Sequence, residues 1–396
     1  MQLTTEQRDF ILKHEREDVR ELALRFSRED LPFVLSQIAG RQMAADKIFS
    51  WYERVGMVYP PHFSIEQASS EIAARYKSSL VPQGLQSFAD LTGGMGVDFS
   101  FFAPKFQRAV YVERDAGLCE IARANFRCLG LENAEIHCSD GETFLREAYK
   151  FDFVFLDPSR RDDAGRKVFR MEDCSPDLTA IKTLLLEKSG AAMVKYSPML
   201  DISQALKGLG RVAEVHIVSV DNECKELLFV LSETSDEEPR CLAVNLKKSG
   251  DRETFSFALL EERQATIPFA KQLQRYLYEP NASILKAGAF KSVAKRYGVE
   301  KLQVNSHLYT SERLIVDFPG RIFEIADSCV PNKRELKSFL SGVKKANIAV
   351  RNFPMTVAEI RKKTGLENGG DVYLFATTLA DERKVWVKCR KVLVRR

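Results

Sequence analysis

The chain has 396 residues, of which 29% are charged and 45% hydrophobic, with a formal net charge of +4; this is the make-up of a globular protein with room for two or three cores. No apolar run reaches membrane-spanning length, and Met1–Phe10 lacks the basic and apolar regions of a secretory signal, so no membrane or secreted protein is expected. Eight cysteines without a Cys-x-x-Cys pair and five dispersed histidines argue against zinc and fit reduced thiols in a cytoplasm.

Residues 1–80 read as a helical domain. Phe33, Val34, Ile38, Ile48 and Phe49 fall at helical spacing within Asp30–Arg54, Pro60-Pro61 interrupts, and Ser64 with Gln67 makes a capping box that opens a helix from Ile65 to about Lys77. From 81 to 235 strands and helices alternate, the pattern of a parallel sheet covered on both faces. Strands are predicted near 86–91, 108–113, 134–138, 151–157, 190–196, 212–220 and 226–233. Between the second and third lies a helix capped by Asp115 and ended by Gly130. Only Asp221–Lys225 links the last two strands, too short to cross over a parallel pair, so they form an antiparallel hairpin. The expected fold is α/β, a Rossmann-like sheet of six parallel strands with an antiparallel seventh.

Ser232–Pro239 is a polar, acidic connector; strands at 240–246 and 254–260 and a small mixed unit complete a region assigned to 236–319. The last segment, 320–396, is basic. Residues 331–396 hold 16 Lys or Arg against 6 Asp or Glu, a net of +10, which leaves −6 for residues 1–330. That confinement predicts a meeting with a polyanion, with a solvated lysine-rich surface as the alternative. Its end, Val385–Val394, alternates as a strand with basic residues on one edge.

Chemistry is concentrated at the strand ends. Asp90-Leu91-Thr92-Gly93-Gly94-Met95-Gly96 closes the first strand in a glycine turn, where missing Cβ atoms let backbone amides approach a ligand. Phe99 stands where a dinucleotide fingerprint needs its third glycine. Glu113 ends the second strand, where a carboxylate can accept from both hydroxyls of a ribose. Asp140 follows the third and can accept from an adenine amine, although Ser139 beside it can cap a helix instead. Asp90 either reaches a ligand's amino group or orients the loop.

The fourth strand ends in Asp157-Pro158-Ser159-Arg160-Arg161. Ligands of doubly wound sheets lie beyond such ends. The Asp157 carboxylate and the Pro158 carbonyl together suit an exocyclic amine, holding its hydrogens and turning its lone pair toward a methyl group; a tight turn with a capping aspartate is the alternative. Arg160 and Arg161 either clamp a nucleic-acid backbone or pair with Asp162 and Asp163, and Lys195 at the end of the fifth strand either meets substrate or only buries its stem.

In this order and spacing the motifs resemble those of class I S-adenosylmethionine-dependent methyltransferases over about residues 64–233. Asp90–Gly96 corresponds to the first motif, Glu113 to the second, Asp140 to the third and Asp157-Pro158 to the fourth. The resemblance implies S-adenosyl-L-methionine as cofactor, with Asp90, Thr92, Gly93, Gly94, Gly96, Glu113 and Asp140 around it and Asp157, Pro158 and Ser159 at the reaction. Further blocks, among them Glu66–Glu71, Lys195–Asp201, Asn222–Glu226, Arg351–Pro354 and Gly369–Phe375, resemble a bacterial methyltransferase family with a THUMP-like domain. That implies a ferredoxin-like subdomain and then a THUMP-like, RNA-associated one at 320–396.

Carbon-5 methylation of a pyrimidine needs a cysteine nucleophile, and Ser159 and Ser197 occupy the places where one would stand; Cys174 is the nearest substitute. Amine methyltransferases usually follow their Asp or Asn with Pro-Pro or Pro-aromatic, from which Ser159-Arg160 departs. The expected function is a cytoplasmic methyltransferase acting on a base nitrogen of a structured RNA such as tRNA or rRNA, with no metal and no membrane. The rivals are a methyltransferase of a protein or small molecule and a non-catalytic RNA-binding protein on the same scaffold.

Overall fold

The computed structural model describes residues 3–60, 67–159, 171–233 and 238–393. Two compact units emerge, Met1–Val220 with Lys225–Pro239, and Asp221–Cys224 with Arg240–Arg396.

The first unit begins with helices α1 (Thr5–His14), α2 (Val19–Arg25), α3 (Leu31–Lys47) and α4 (Phe49–Tyr52). Their apolar stripes bring Ile11, Leu22, Val34 and Ile38 into one core with Val58 and Ile121. Ser64 of the expected capping box lies outside the described residues. The expected start at Ile65 also lies outside the described residues; Gln67 is helical, and after a break at 68–70 the helix α5 (Glu71–Ser79) follows. In and beside the break, Ser69 donates to Asp98 (2.7 Å), and Glu71 accepts from the Ser50 amide (2.8 Å).

The sheet of this unit comprises β1 (Ser87–Asp90), β2 (Arg108–Glu113), β3 (Ala134–Cys138), β4 (Phe151–Leu156), β5 (Ser189–Tyr196), β6 (Val212–Val220) and β7 (Glu223–Ser232), ordered β3-β2-β1-β4-β5-β7-β6. Neighbours from β3 to β5 are parallel, and β7 runs antiparallel to β5, as the short link required. Asp221 and Asn222 both adopt positive φ (46° and 65°), the backbone of a two-residue hairpin turn. Helices α6 (Val97–Phe102), α7 (Ala116–Leu129), α8 (Gly141–Glu147), α9 (Leu178–Glu187) and α10 (Ile202–Leu209) follow their strands. Asp115 caps α7 by accepting from the Leu118 amide (3.0 Å), and Gly130 ends it at φ 72°. Asn125 on α7 is fully buried and bonds both backbone groups of Val58 (2.8 Å each), which pins the amino-terminal helices to the sheet layer.

The second unit opens with the antiparallel pair β8 (Arg240–Leu246) and β9 (Arg252–Ala258). A further sheet holds β10 (Tyr276–Pro280), β11 (Glu300–Lys301), β12 (Tyr309–Ser311), β13 (Gly320–Cys329), β14 (Asn347–Arg351), β15 (Val372–Thr378) and β16 (Lys384–Lys391), ordered β11-β12-β10-β13-β16-β15-β14. Its pairs are antiparallel except for β14 with β15. The strand expected at 385–394 is β16. Strand β16 is interior, so Val385, Trp386 and Val387 are all buried and only Arg390 and Lys391 at its end are exposed. No described helix is long and apolar enough to cross a membrane.

Candidate active site

The glycine turn is set by what lies beneath it. Phe99, in the place of a third glycine, is fully buried; its ring stacks on Phe126 (4.6 Å) and meets Tyr111 edge-on (5.6 Å). This aromatic floor fixes the loop from below. A Cβ on Gly93 would stand 2.2 Å from the Tyr111 ring, and Gly96, at φ 84°, starts α6 with Phe126 2.8 Å from where its Cβ would be. The Tyr111 hydroxyl donates to the Gly94 carbonyl.

Three carboxylates line the ends of β1, β2 and β3. Glu113 accepts from the amides of Gly94 (2.8 Å) and Asp115 (2.9 Å), which aims it at the loop and leaves further lone pairs for a ligand. Asp90 is buried and accepts from the Thr92 amide (3.0 Å), so it orients the loop. Burial pushes the Asp90 carboxyl well above the usual carboxylate range, with Asp98, Asp157 and Glu113 adding to the effect against the Thr92 bond. Asp140, not Ser139, caps α8, accepting through Oδ1 from Glu142 (2.9 Å) and Thr143 (3.0 Å); Oδ2 is the oxygen left to a ligand.

The turn after β4 is fastened to the glycine loop. The Asp157 amide donates to Thr92 Oγ1 (2.6 Å). Pro158 is buried, and Ser159 pairs through its backbone with Ser175 (2.8 and 3.1 Å). Arg160 and Arg161 lie outside the described residues. Leu156 pairs with Val194, so Asp157 and Lys195 fall on the next rung, and the Lys195 ammonium forms an ion pair with the Asp157 carboxylate. Burial pulls the Lys195 ammonium down, but Asp157, Asp98 and Glu226 together raise it further than burial lowers it. The lysine therefore stays charged in this setting.

A second lysine was missed by sequence reasoning. Lys77 on α5 has a fully buried side chain and lies 2.8 and 3.1 Å from the two oxygens of Glu226, 3.0 Å from Asp98 Oδ1 and 2.8 Å from Ser69 Oγ. The sequence carried only a partial signal: Lys77 continues the buried stripe Ala73, Ala74 and Tyr76, and Glu226 heads the apolar run Leu227–Val230, but neither position names its partner. Cys174 is buried. Among the described residues, no group of three or more His, Cys, Asp and Glu side chains is placed to hold a metal ion.

The solved structure of a "putative methyltransferase" from Porphyromonas gingivalis W83 matches 99% of this chain and 100% of its own, at 32% identity and a TM-score of 0.86. Residues 276–319 match a ferredoxin-like domain and residues 320–391 a THUMP domain-like one. This chain belongs to that family of class I methyltransferases with a THUMP-like carboxyl-terminal domain. A SAM-dependent methyltransferase from Agrobacterium tumefaciens is 16% identical, over 46% of this chain and 57% of its own, with a TM-score of 0.31. A tRNA (uracil-54, C5)-methyltransferase from Pyrococcus abyssi, solved with S-adenosyl-L-homocysteine, is 20% identical over 44% and 39%, with a TM-score of 0.30. No curated protein matches the chain. In this member of the family, then, the residues singled out at the ends of β1, β2, β3, β4 and β5 gather at the carboxyl edge of one sheet, and Ser69, Lys77, Asp98 and Glu226 join them.

Proposed function

We propose that this chain is an S-adenosylmethionine-dependent RNA methyltransferase of the cytoplasm. The observation that carries the reading is the bond from the Asp157 amide to Thr92 Oγ1, which makes the glycine loop and the Asp157-Pro158 turn one rigid assembly. The cradle suits an adenosyl ligand. A loop pressed onto Tyr111 leaves no room for Cβ atoms, Glu113 offers acceptors for ribose hydroxyls, and Asp140 Oδ2 offers one for the adenine amine. When bound, the cofactor supplies an electrophilic methyl on sulfonium; the chain's part is to hold and orient the acceptor and to take up its proton.

RNA is favoured as substrate by the THUMP-like segment at 320–391 and by the net charge of +10 over residues 331–396. In this reading 1–80 supports the site, 81–235 catalyses, 236–319 connects and 320–396 binds RNA, with Arg160 and Arg161 clamping the backbone at the cleft. The exocyclic amine expected as target would share the Asp157 carboxylate with the Lys195 ammonium, which engages its Oδ2. Nucleoside mass spectrometry on RNA from cells with and without the protein tests the function, together with calorimetric titration of S-adenosylhomocysteine. Identical nucleoside profiles with intact ligand binding would leave a methyltransferase of another substrate; loss of one modified nucleoside on deleting the gene, and again in Asp157→Ala, is the expected result.

A further inference from the structure

Four charged side chains from four separate elements meet at one end of the sheet: Lys77 from α5, Asp157 after β4, Lys195 near the end of β5 and Glu226 near the start of β7. They form two ion pairs, Lys195 with Asp157 and Lys77 with Glu226. Strand register brings the pairs together. Lys195 lies opposite Leu228, so Glu226, two residues earlier on β7, projects to the same face of the sheet. Side-chain exposure falls from 37% at Asp157 through 13% at Lys195 and 4% at Glu226 to 0% at Lys77. The Asp157–Lys195 pair thus faces the cleft, and the Lys77–Glu226 pair backs it.

An exocyclic amine fits this arrangement poorly. Its lone pair is delocalised into the base, so it can donate hydrogens to Asp157 Oδ1 beside the Lys195 bond to Oδ2, but it offers the ammonium no acceptor, and the positive charge that builds on the nitrogen during transfer would face that ammonium. A hydroxyl has both a hydrogen and lone pairs. It can donate to Asp157 and accept from Lys195 at once, so it enters the ion pair without leaving either partner unsatisfied. One lone pair then remains for the methyl group.

The geometry points to a hydroxyl acceptor, the ribose 2′-hydroxyl of an RNA nucleotide, seated between Asp157 and Lys195, with Lys77 and Glu226 as positioning residues. The inference rests on the RNA methyltransferase reading, since the 2′-hydroxyl is the one hydroxyl that each internal nucleotide of RNA presents. In the transfer the oxygen–methyl bond forms and the methyl–sulfur bond breaks, its electron pair staying on sulfur. The hydroxyl proton passes to the Asp157 carboxylate, which accepts it as the oxygen becomes acidic. Lys195 holds the oxygen in line by donating to its other lone pair. Lys77 offsets part of the charge of Glu226 and Asp98, which both act on Lys195 and would otherwise draw it more strongly away from Asp157.

The test labels total RNA from source cells lacking the protein, using full-length protein and tritiated methyl donor, and then hydrolyses it in alkali. A 2′-O-methyl group blocks cleavage of the adjoining phosphodiester, so label in alkali-stable dinucleotides is the expected result. Label released as ordinary mononucleotides would overturn the hydroxyl assignment while leaving the RNA reading intact. Protein that binds S-adenosylhomocysteine yet labels no RNA would end both. In Lys195→Met and Asp157→Asn, labelling should fall more than 100-fold with S-adenosylhomocysteine affinity changed less than threefold. For the positioning pair, lysine side-chain NMR of the free protein reads the Lys195 ammonium directly. Glu226→Gln and Lys77→Met should both shift that signal and lower kcat with little change in KM, and Lys77→Arg should restore it. If Lys77→Met does not fold, Lys77→Arg and Glu226→Gln decide the matter alone; an unmoved Lys195 signal and unchanged kcat in Glu226→Gln would remove the positioning role.

Discussion

Gly93→Ala is a small change at the point where the loop has no slack. The new Cβ would lie 2.2 Å from Tyr111 Cε2, where ordinary contact begins near 3.4 Å, so the loop or the ring must yield by about 1.2 Å. The ring is not free to yield, because Tyr111 is fully buried with Phe99 and Phe126 edge-on to it. The loop therefore moves, and the 2.8 Å bond from the Gly94 amide to Glu113 cannot survive a shift of that size. Overpacking of this kind costs about 1–3 kcal/mol, and a lost charge-assisted bond about 1.5–3 kcal/mol. Together these are about 2.5–6 kcal/mol, and at roughly 2–4 °C per kcal/mol for a unit of this size Tm should fall by about 5–24 °C. The dissociation constant for S-adenosylhomocysteine should rise about 10- to 100-fold by calorimetry. Adding Tyr111→Leu removes the obstacle, so the double variant should bind more tightly than Gly93→Ala alone, a positive coupling for residues in contact. Wild-type affinity and Tm in Gly93→Ala would show that the loop is not seated on Tyr111.

Glu113→Ala removes the acceptor of both the Gly94 and Asp115 amides and should weaken S-adenosylhomocysteine binding by about 10- to 100-fold, read by the same titration. In the second unit, Glu279 is buried and shared by Arg321 and Arg351, whose side chains are each 36% exposed. Glu279→Ala should cost about 1–3 kcal/mol, less than a fully buried pair because both guanidiniums keep water, and should lower the melting transition of that unit in calorimetry. Burial, aided by Lys301 and Arg351, pulls the imidazole of His307 down to about 4 from 6.5. The folded protein thus prefers the neutral ring. Its contribution to stability is complete above pH 6.5 and is lost as the pH falls from 6.5 through 4. Thermal unfolding over that range should be less pH-dependent in His307→Asn, a residue that tolerates the positive φ of 51° at this position.

Much of the layer that carries the candidate site was readable in one dimension because it is built from local rules. Alternating strands and helices, the two-residue turn at Asp221-Asn222, the Asp115 cap and the Gly130 stop each depend on a few neighbouring residues. Strand ends can likewise be read from sequence, and in a doubly wound sheet the parallel strand ends form one edge, so Asp90, Glu113, Asp140 and Asp157 were predictable as neighbours. What could not be read is whatever depends on which distant partner a side chain meets. Lys77 and Glu226 lie 149 residues apart, and nothing local distinguishes a lysine in an apolar stripe from one whose stem alone is buried. The fate of Asp157 was hidden for the same reason, since its partner Lys195 is set by the register of β4 on β5. Strand order, too, is a tertiary fact: the alternation at 385–394 marked a strand, and only pairing with β13 and β15 made β16 an interior one. Local chemistry wrote the elements and their ends; the packing of remote segments chose the charges that face one another, because burial and Coulomb forces act across space and not along the chain.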